Sequence, residues 1–208
     1  MGQNVRNRNF DLVLKHFACM WLLTCLGLGF GVFLPSSIVL PLSIICIVLL
    51  MIVIFIRTLY IATFILYSIP FLTGILMFWV VQFFIDVLGK AFVFSVFIGT
   101  VLIYLLLALI GLKMSRNLAN WGQYLLAVLL IIVVFSVIYY FIPISSTFAL
   151  VIAIICVALF SLYTVYDFNQ IRHNYVRDED VVRMALSIYL NFINLFSNLL
   201  EVAWRIRD

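Results

Sequence analysis

The chain has 208 residues, of which 67% are apolar and only 10% are charged. Soluble domains carry about 25% charged residues and roughly 45–50% apolar ones. This composition excludes a water-soluble enzyme, a nucleic-acid reader and a disordered tail, and it predicts a single integral membrane domain over residues 1–208. The charged residues give a formal net charge of +4 and lie outside the apolar segments. We therefore expect them to set the orientation of the protein in the membrane.

Charge-free runs divide the chain into spans, and these spans are predicted to be helices because lipid excludes open strands and period-2 alternation is absent. The run from Phe17 to Ile56 is too long for one span of about 20 residues, and Pro35-Ser36-Ser37 divides it. Pro143 divides a second long run, and Pro70 predicts a kinked or tilted third span. The predicted spans are approximately residues 17–34, 38–56, 59–85, 91–112, 122–142, 147–166 and 181–204.

The seventh span carries a polar stripe. Its polar side chains recur in steps of three or four, the spacing of one helical face: Arg183, Ser187, Asn191, Asn194, Asn198, Glu201 and Arg205. The opposite side of this helix is apolar, so the helix cannot face lipid all round. We predict that it lies in the middle of the bundle or along a water-filled path. The side chains predicted to line that path are Ser187, Asn194, Asn198 and Glu201.

The basic residues of the loops predict the orientation. They accumulate on the side of the N-terminus, and Lys90 is the one basic residue in the opposite loops. The positive-inside rule therefore places the N-terminus in the cytoplasm. Arg205 and Arg207 fall outside if the seventh helix crosses completely, and the charge bias favours a re-entrant or deeply buried helix instead. The short N-terminus and the absence of a retention signal lead us to expect a multi-pass protein of a bacterial plasma (inner) membrane.

Asp167 closes the sixth span and is the first candidate for a functional site. An ionised carboxylate at mid-membrane costs about 2.5–3.5 kcal/mol, so the side chain needs a partner. Arg57, at the cytoplasmic end of span two, and Asn191 are the candidates, and together they predict a buried polar gate. The alternative is that Asp167 marks the span boundary and meets water. We interpret His173 as a solvated histidine beside the membrane, with sensing of cytosolic pH as its alternative role.

Motifs of membrane enzymes are absent from the sequence. It has no HExxH zinc motif, no GxSxG serine elbow, no paired intramembrane aspartates and no Gly-rich phosphate loop. We therefore predict a protein that is not an enzyme and has no cofactor. Its predicted partner is the lipid bilayer, and we predict no binding of nucleic acid. The sequence does not indicate a protein partner.

Two C-terminal motifs resemble the Bax inhibitor-1 (transmembrane Bax inhibitor motif) family, and its short bacterial members are the nearest match. The motifs are FSLYTVYDFNQIRH at residues 160–173 and MALSIYLNFINLF at residues 184–196. The segment LPLSI at residues 40–44 extends the likeness. The resemblance implies an all-α bundle of six transmembrane helices around a central C-terminal helix. It also implies a pH-sensitive leak with calcium as the permeant ion.

The resemblance further implies roles for individual residues. In the family, a carboxylate after span six pairs with a second one on the last helix, and their shared proton opens or closes the path. Asp167 matches the first carboxylate and would contact calcium, and Arg57 matches a basic residue that holds the closed state. Asn191 stands where the family usually has aspartate, and asparagine cannot ionise. We therefore expect an altered pH response and a weaker preference for calcium.

Two other functions are compatible with the sequence. The first is a non-conducting membrane protein that interacts with other membrane components or regulates them. The second is a proton-coupled transporter with a substrate site framed by helices broken at prolines. Such a transporter should show internal repeats. The chain has only a weak similarity between its Pro-Ser-Ser and Pro-Ile-Ser-Ser segments. The polar stripe favours conduction, because a scaffold has little need for it.

Overall fold

The computed structural model describes residues 2–55, 59–141, 145–174 and 176–207. These residues form seven α-helices and no strand, which confirms the predicted all-α fold class. The helices are α1 (Gly2–Gly31), α2 (Val39–Phe55), α3 (Leu59–Leu88), α4 (Lys90–Lys113), α5 (Gly122–Phe141), α6 (Ser146–His173) and α7 (Val181–Arg207).

Six of these helices, namely α1 to α4, α6 and α7, are long and apolar enough to cross a membrane. For α5, the apolar stretch found within the described residues is the shorter segment Ala119–Phe135. The chain is thus a multi-pass integral membrane protein. In α7, 56% of the spanning residues are buried, against 11–33% in the other five helices. This difference agrees with the prediction that the last helix does not face lipid all round.

The breaks between helices follow the sequence signals closely. After α1, Pro35 has extended backbone angles and Ser36–Ile38 forms one turn of 3-10 helix before α2. Pro70 lies inside the continuous helix α3. Gly89 alone separates α3 from α4 and has a φ of 91°, a conformation that glycine adopts without the steric penalty of a side chain. Pro143, predicted to divide spans five and six, lies outside the described residues.

Several helices extend beyond the predicted spans, because the spans were ended at charged residues. The sixth span was predicted to end at residue 166, yet α6 continues to His173. Asn169 and Gln170 in this extension are buried, so packing sustains the helix where its sequence becomes polar. In the same way α1 begins at Gly2 and α7 continues to Arg207.

The described residues cluster into two units. The first comprises Met1–Asp86 and Val176–Tyr189, and the second comprises Val87–Tyr175 and Leu190–Asp208. The first unit thus holds α1, α2, nearly all of α3 and the beginning of α7. The second unit holds α4, α5, α6 and the remainder of α7.

In the first unit, α1 and α3 approach each other through small residues. A Cβ atom added to Gly74 would lie 2.3 Å from the carbonyl oxygen of Thr24, and one added to Gly27 would lie 2.1 Å from that of Phe71. Such distances leave room for hydrogen atoms only. The Thr24 hydroxyl also lies 2.7 Å from the hydroxyl of Tyr189, which is fully buried. This contact joins the beginning of α7 to α1.

In the second unit, α4 packs closely on α6, and a Cβ atom added to Gly111 would lie 2.5 Å from the carbonyl oxygen of Val165. The ring of Tyr104 on α4 makes edge contacts with Phe168 on α6 and Phe192 on α7, with centroids 6.0 and 5.3 Å apart. Aromatic packing therefore holds α4, α6 and the later part of α7 together, and it forms the surroundings of the candidate site.

Candidate functional site

Asp167 lies inside α6 and not at its end. Its side chain is only 4% exposed, and helix continues to His173. Burial on this scale excludes the simple interpretation in which the carboxylate marks the boundary of the span and meets water. A buried carboxylate must be compensated by hydrogen-bond donors or positive charge.

Asn191 on α7 supplies such a donor. Its Nδ2 atom donates a hydrogen bond to Oδ2 of Asp167 over 2.8 Å, and the asparagine is also 4% exposed. The structure therefore brings together two of the predicted gate residues, both within the second unit. An ionised carboxylate only accepts hydrogen bonds, whereas the amide nitrogen only donates them. The pair is thus satisfied with Asp167 ionised and without a shared proton.

The surroundings of this pair are aromatic. Phe168 and Phe192, each one position further along its helix, pack against Tyr104. The phenol groups of Tyr104, Tyr163 and Tyr166 lie within electrostatic range of the Asp167 carboxylate. Hydrogen bonds are stronger in such low-dielectric surroundings than in water, and an unpaired polar group is correspondingly costly there. The hydrogen bond from Asn191 is therefore stronger here than it would be at an exposed site.

The third predicted gate residue, Arg57, lies outside the described residues, so its contact with Asp167 stays a prediction. The described part of the chain has no group of three histidine, cysteine or acidic side chains that would hold a metal ion. Calcium takes six to eight oxygen ligands in a resident site. The contact of Asp167 with calcium stays a prediction.

The polar stripe of α7 is half-buried, apart from Asn191, which is fully buried. Asn194 donates from Nδ2 to the carbonyl oxygen of Leu190 over 2.8 Å, and Asn198 does the same to that of Asn194 over 2.7 Å. These amides are thus satisfied by their own helix, as polar side chains in apolar surroundings often are. The lining of a path by Ser187, Asn194, Asn198 and Glu201 stays a prediction.

The far end of the stripe shows how α7 runs through the second unit. Glu201 forms an ion pair with Arg205 at 2.5 Å, and Arg205 also donates to Oγ of Ser146, the first residue of α6. Arg207 donates to the carbonyl oxygen of Leu88, beside the turn into α4. The C-terminal end of α7 therefore lies where α4 and α6 begin, opposite the ends of those helices. Whether α7 crosses completely or re-enters, as the charge bias predicts for a re-entrant or deeply buried helix, stays a prediction.

The sequence did not predict how the polar end of α6 packs. The fully buried Asn169 accepts from the backbone N–H of Leu118 and donates to the carbonyl oxygen of Arg116, both over 2.9 Å. Arg172 donates to the carbonyl oxygen of Leu112 at the end of α4 over 2.6 Å and to that of Met114 in the loop over 3.3 Å. These side chains hold the α4–α5 loop (residues 114–118) against α6. The available signal was a polar run without glycine or proline directly after the predicted span.

The chain matches the protein family described as "Inhibitor of apoptosis-promoting Bax1" over residues 6–205. An uncharacterized membrane protein of Streptococcus pyogenes serotype M3 is 34% identical over 130 residues, or 60% of this chain and 56% of that protein. An uncharacterized protein of Helicobacter pylori is 35% identical over 103 residues, 50% of this chain and 44% of that protein. Protein LIFEGUARD 4 of Arabidopsis thaliana is 32% identical over 81 residues, 39% of this chain and 32% of that protein. The chain spans about half the length of the bacterial relatives that it matches.

Proposed function

Because the chain belongs to the Bax inhibitor-1 family of membrane proteins, we propose that it is a calcium-permeable, pH-sensitive leak channel with an altered pH response. The observation that carries the proposal is the buried hydrogen bond of 2.8 Å from Asn191 to Asp167. It occupies the place of the aspartate pair that the family likeness implies. In the proposed setting the protein lies in a bacterial plasma (inner) membrane with its N-terminus in the cytoplasm, and it performs no catalytic step.

The chemistry of the pair supports an altered pH response. Two close carboxylates titrate as a coupled pair, because the second negative charge is repelled by the first. An amide has nearly the shape of a protonated carboxyl group, but its N–H is present at every pH. Only Asp167 can then gain or lose a proton at this position, so the transition should be shallower than that of a dyad.

The polar stripe of α7 supports the proposal of conduction, because it offers oxygen atoms to a passing ion. Nδ2 of Asn194 and Nδ2 of Asn198 donate to carbonyl oxygens of their own helix. The atoms that remain for a passing ion are the Oδ1 oxygens, and oxygen is the ligand that calcium prefers. In this proposal Ser187, Asn194, Asn198 and Glu201 line the path in the conducting state.

A second candidate function is a non-conducting membrane protein of the Bax inhibitor type that interacts with or regulates other components. The observation that favours it is that the carboxylates of Glu201 and Asp167 both have partners in this conformation. Glu201 is ion-paired with Arg205, and Asp167 is held by Asn191. Attraction for a divalent cation is thereby weakened at both carboxylates.

The two candidates are separated by calcium flux into proteoliposomes that contain the purified chain, measured from pH 5 to 8. We expect weakly pH-dependent flux from the wild type, altered flux from Asp167→Asn and a steeper pH profile from Asn191→Asp. The matched control is Asn120→Asp, which makes the same exchange of side chain in the exposed turn before α5, outside the stripe, and should leave the slope unchanged.

An unchanged pH profile in Asn191→Asp would overturn the altered pH response. Flux no greater than in empty liposomes, from wild type and all variants, would favour the interaction protein. That result counts only if circular dichroism and gel filtration show helical, monodisperse protein recovered from the same liposomes.

A further inference from the structure

His173, the last residue of α6, places both of its ring nitrogens against carbonyl oxygens. Nε2 lies 2.9 Å from the carbonyl oxygen of Ser115 in the α4–α5 loop. Nδ1 lies 3.2 Å from the carbonyl oxygen of Asn169, one turn earlier on the same helix. A carbonyl oxygen only accepts hydrogen bonds, so each ring nitrogen faces an acceptor.

Only one protonation state of histidine satisfies both contacts. The neutral imidazole has one N–H donor and one lone pair, whereas the imidazolium has two N–H donors. A neutral ring would therefore bond one carbonyl oxygen and direct its lone pair at the other. The positively charged ring bonds both, so the geometry around His173 fits the protonated form.

We propose that His173 is a pH-dependent latch, which holds the α4–α5 loop on α6 when the ring is protonated and loosens it when the ring is neutral. Asn169 bonds Arg116 and Arg172 bonds Met114 of the same loop without any change of charge near neutral pH, so the loop remains attached when the latch opens. The inference does not depend on conduction. In the orientation proposed above, the latch faces the cytoplasm.

The charged groups around the ring belong to two segments. Lys113 and Arg116 flank Ser115, and Arg172 precedes His173 on α6. Among the described residues, His173 forms no ion pair with a carboxylate, and Asp180 in the following turn is paired with Arg177. Histidine side chains ordinarily change charge between pH 5 and 8, so the test covers this range.

The latch is tested by hydrogen exchange of the full chain in lipid nanodiscs from pH 5.5 to 8.0. Exchange rates of the amides of residues 114–118 are divided by their intrinsic rates at each pH, which gives protection factors. We expect protection to fall about fivefold as pH rises, the effect of losing one hydrogen bond of typical net strength. The sign follows from the contacts, since the protonated ring makes both and the neutral ring makes one.

Three variants assign the effect. His173→Gln should give protection that is independent of pH, because glutamine does not ionise. His16→Gln removes the chain's other histidine, which bonds Tyr67 in the first unit, and should keep the wild-type profile. Arg172→Gln should lower protection at every pH while keeping the slope, because it removes a contact that does not titrate in this range.

A wild-type profile that is flat with pH, or a His173→Gln variant that keeps the slope, would overturn the latch. If His173→Gln does not fold, the ring nitrogen resonances of His173 in the wild type decide the question. Two protonated ring nitrogens at pH 5.5 and one at pH 8.0 support the proposal, and a neutral ring at pH 5.5 overturns it. A protein that shows the latch but conducts no calcium refutes the proposed channel alone.

Discussion

Asn191 on α7 donates a hydrogen bond from Nδ2 to Oδ2 of Asp167 on α6 over 2.8 Å, and each of the two side chains is only 4% exposed. The contact joins residues 24 positions apart and needs no proton on the carboxylate. A second carboxylate at position 191 would need one. The side chain at position 191 therefore determines whether two coupled carboxylates titrate at this site or Asp167 alone.

The substitution Asn191→Asp should make stability fall with rising pH. Two carboxylates at this distance repel each other once both are ionised, so we expect a loss of about 1–3 kcal/mol at pH 8 relative to pH 5. Thermal unfolding of the purified protein in detergent, followed by circular dichroism from pH 5 to 8, measures this. Asn198→Asp is the control for added charge, and parallel curves for the two variants would contradict the prediction.

The substitution Gly74→Ala should destabilise the protein. The added methyl group would lie 2.3 Å from the carbonyl oxygen of Thr24, so α1 and α3 must separate. Overpacking of this kind costs about 1–3 kcal/mol. Gly99→Ala is the matched control, because a Cβ atom there meets nothing within 4 Å, and it should be neutral or slightly stabilising. Equal unfolding temperatures for the two variants would show that the close approach is not required.

The substitution Asn169→Ala should expose the α4–α5 loop to protease. It leaves the N–H of Leu118 and the carbonyl oxygen of Arg116 without their side-chain partner. Because an unsatisfied buried group costs about 1–3 kcal/mol, trypsin cleavage after Lys113 and Arg116 should become about tenfold faster. The comparison is Asn198→Ala, whose amide bonds only its own helix among the described residues. An unchanged rate in Asn169→Ala would show that other contacts hold the loop.

Complete crossing by α7 predicts that its two ends lie on opposite sides of the membrane. A reporter enzyme that is active only outside the cytoplasm, fused after Arg207, should report the outer side. The same reporter inserted between Met114 and Ser115 should report the cytoplasm. If both fusions report the same side, α7 re-enters and the contacts of Arg205 with Ser146 and of Arg207 with Leu88 do not describe the membrane-inserted protein.

Much of the helical framework was predictable from the sequence, because it depends on local properties of the chain. Apolar runs between charged residues predict spanning helices, since backbone groups in lipid must bond within their own segment. The break at Pro35, the turn beside Lys90 and the polar face of α7 followed from the same local reasoning. The family likeness then indicated Asp167 and position 191 before any contact between them was known.

The sequence by itself thus determined the membrane setting, the helical class and the residue types available to the site. Only the tertiary structure decided which of them meet. The bond of Asn169 to Leu118 joins residues 51 positions apart, and the contact of His173 with Ser115 joins residues 58 apart. Hydropathy and helical periodicity act over a few residues, whereas such contacts depend on how whole helices pack. For the same reason the sequence did not show that α6 continues beyond Asp167 or that α7 ends beside Ser146.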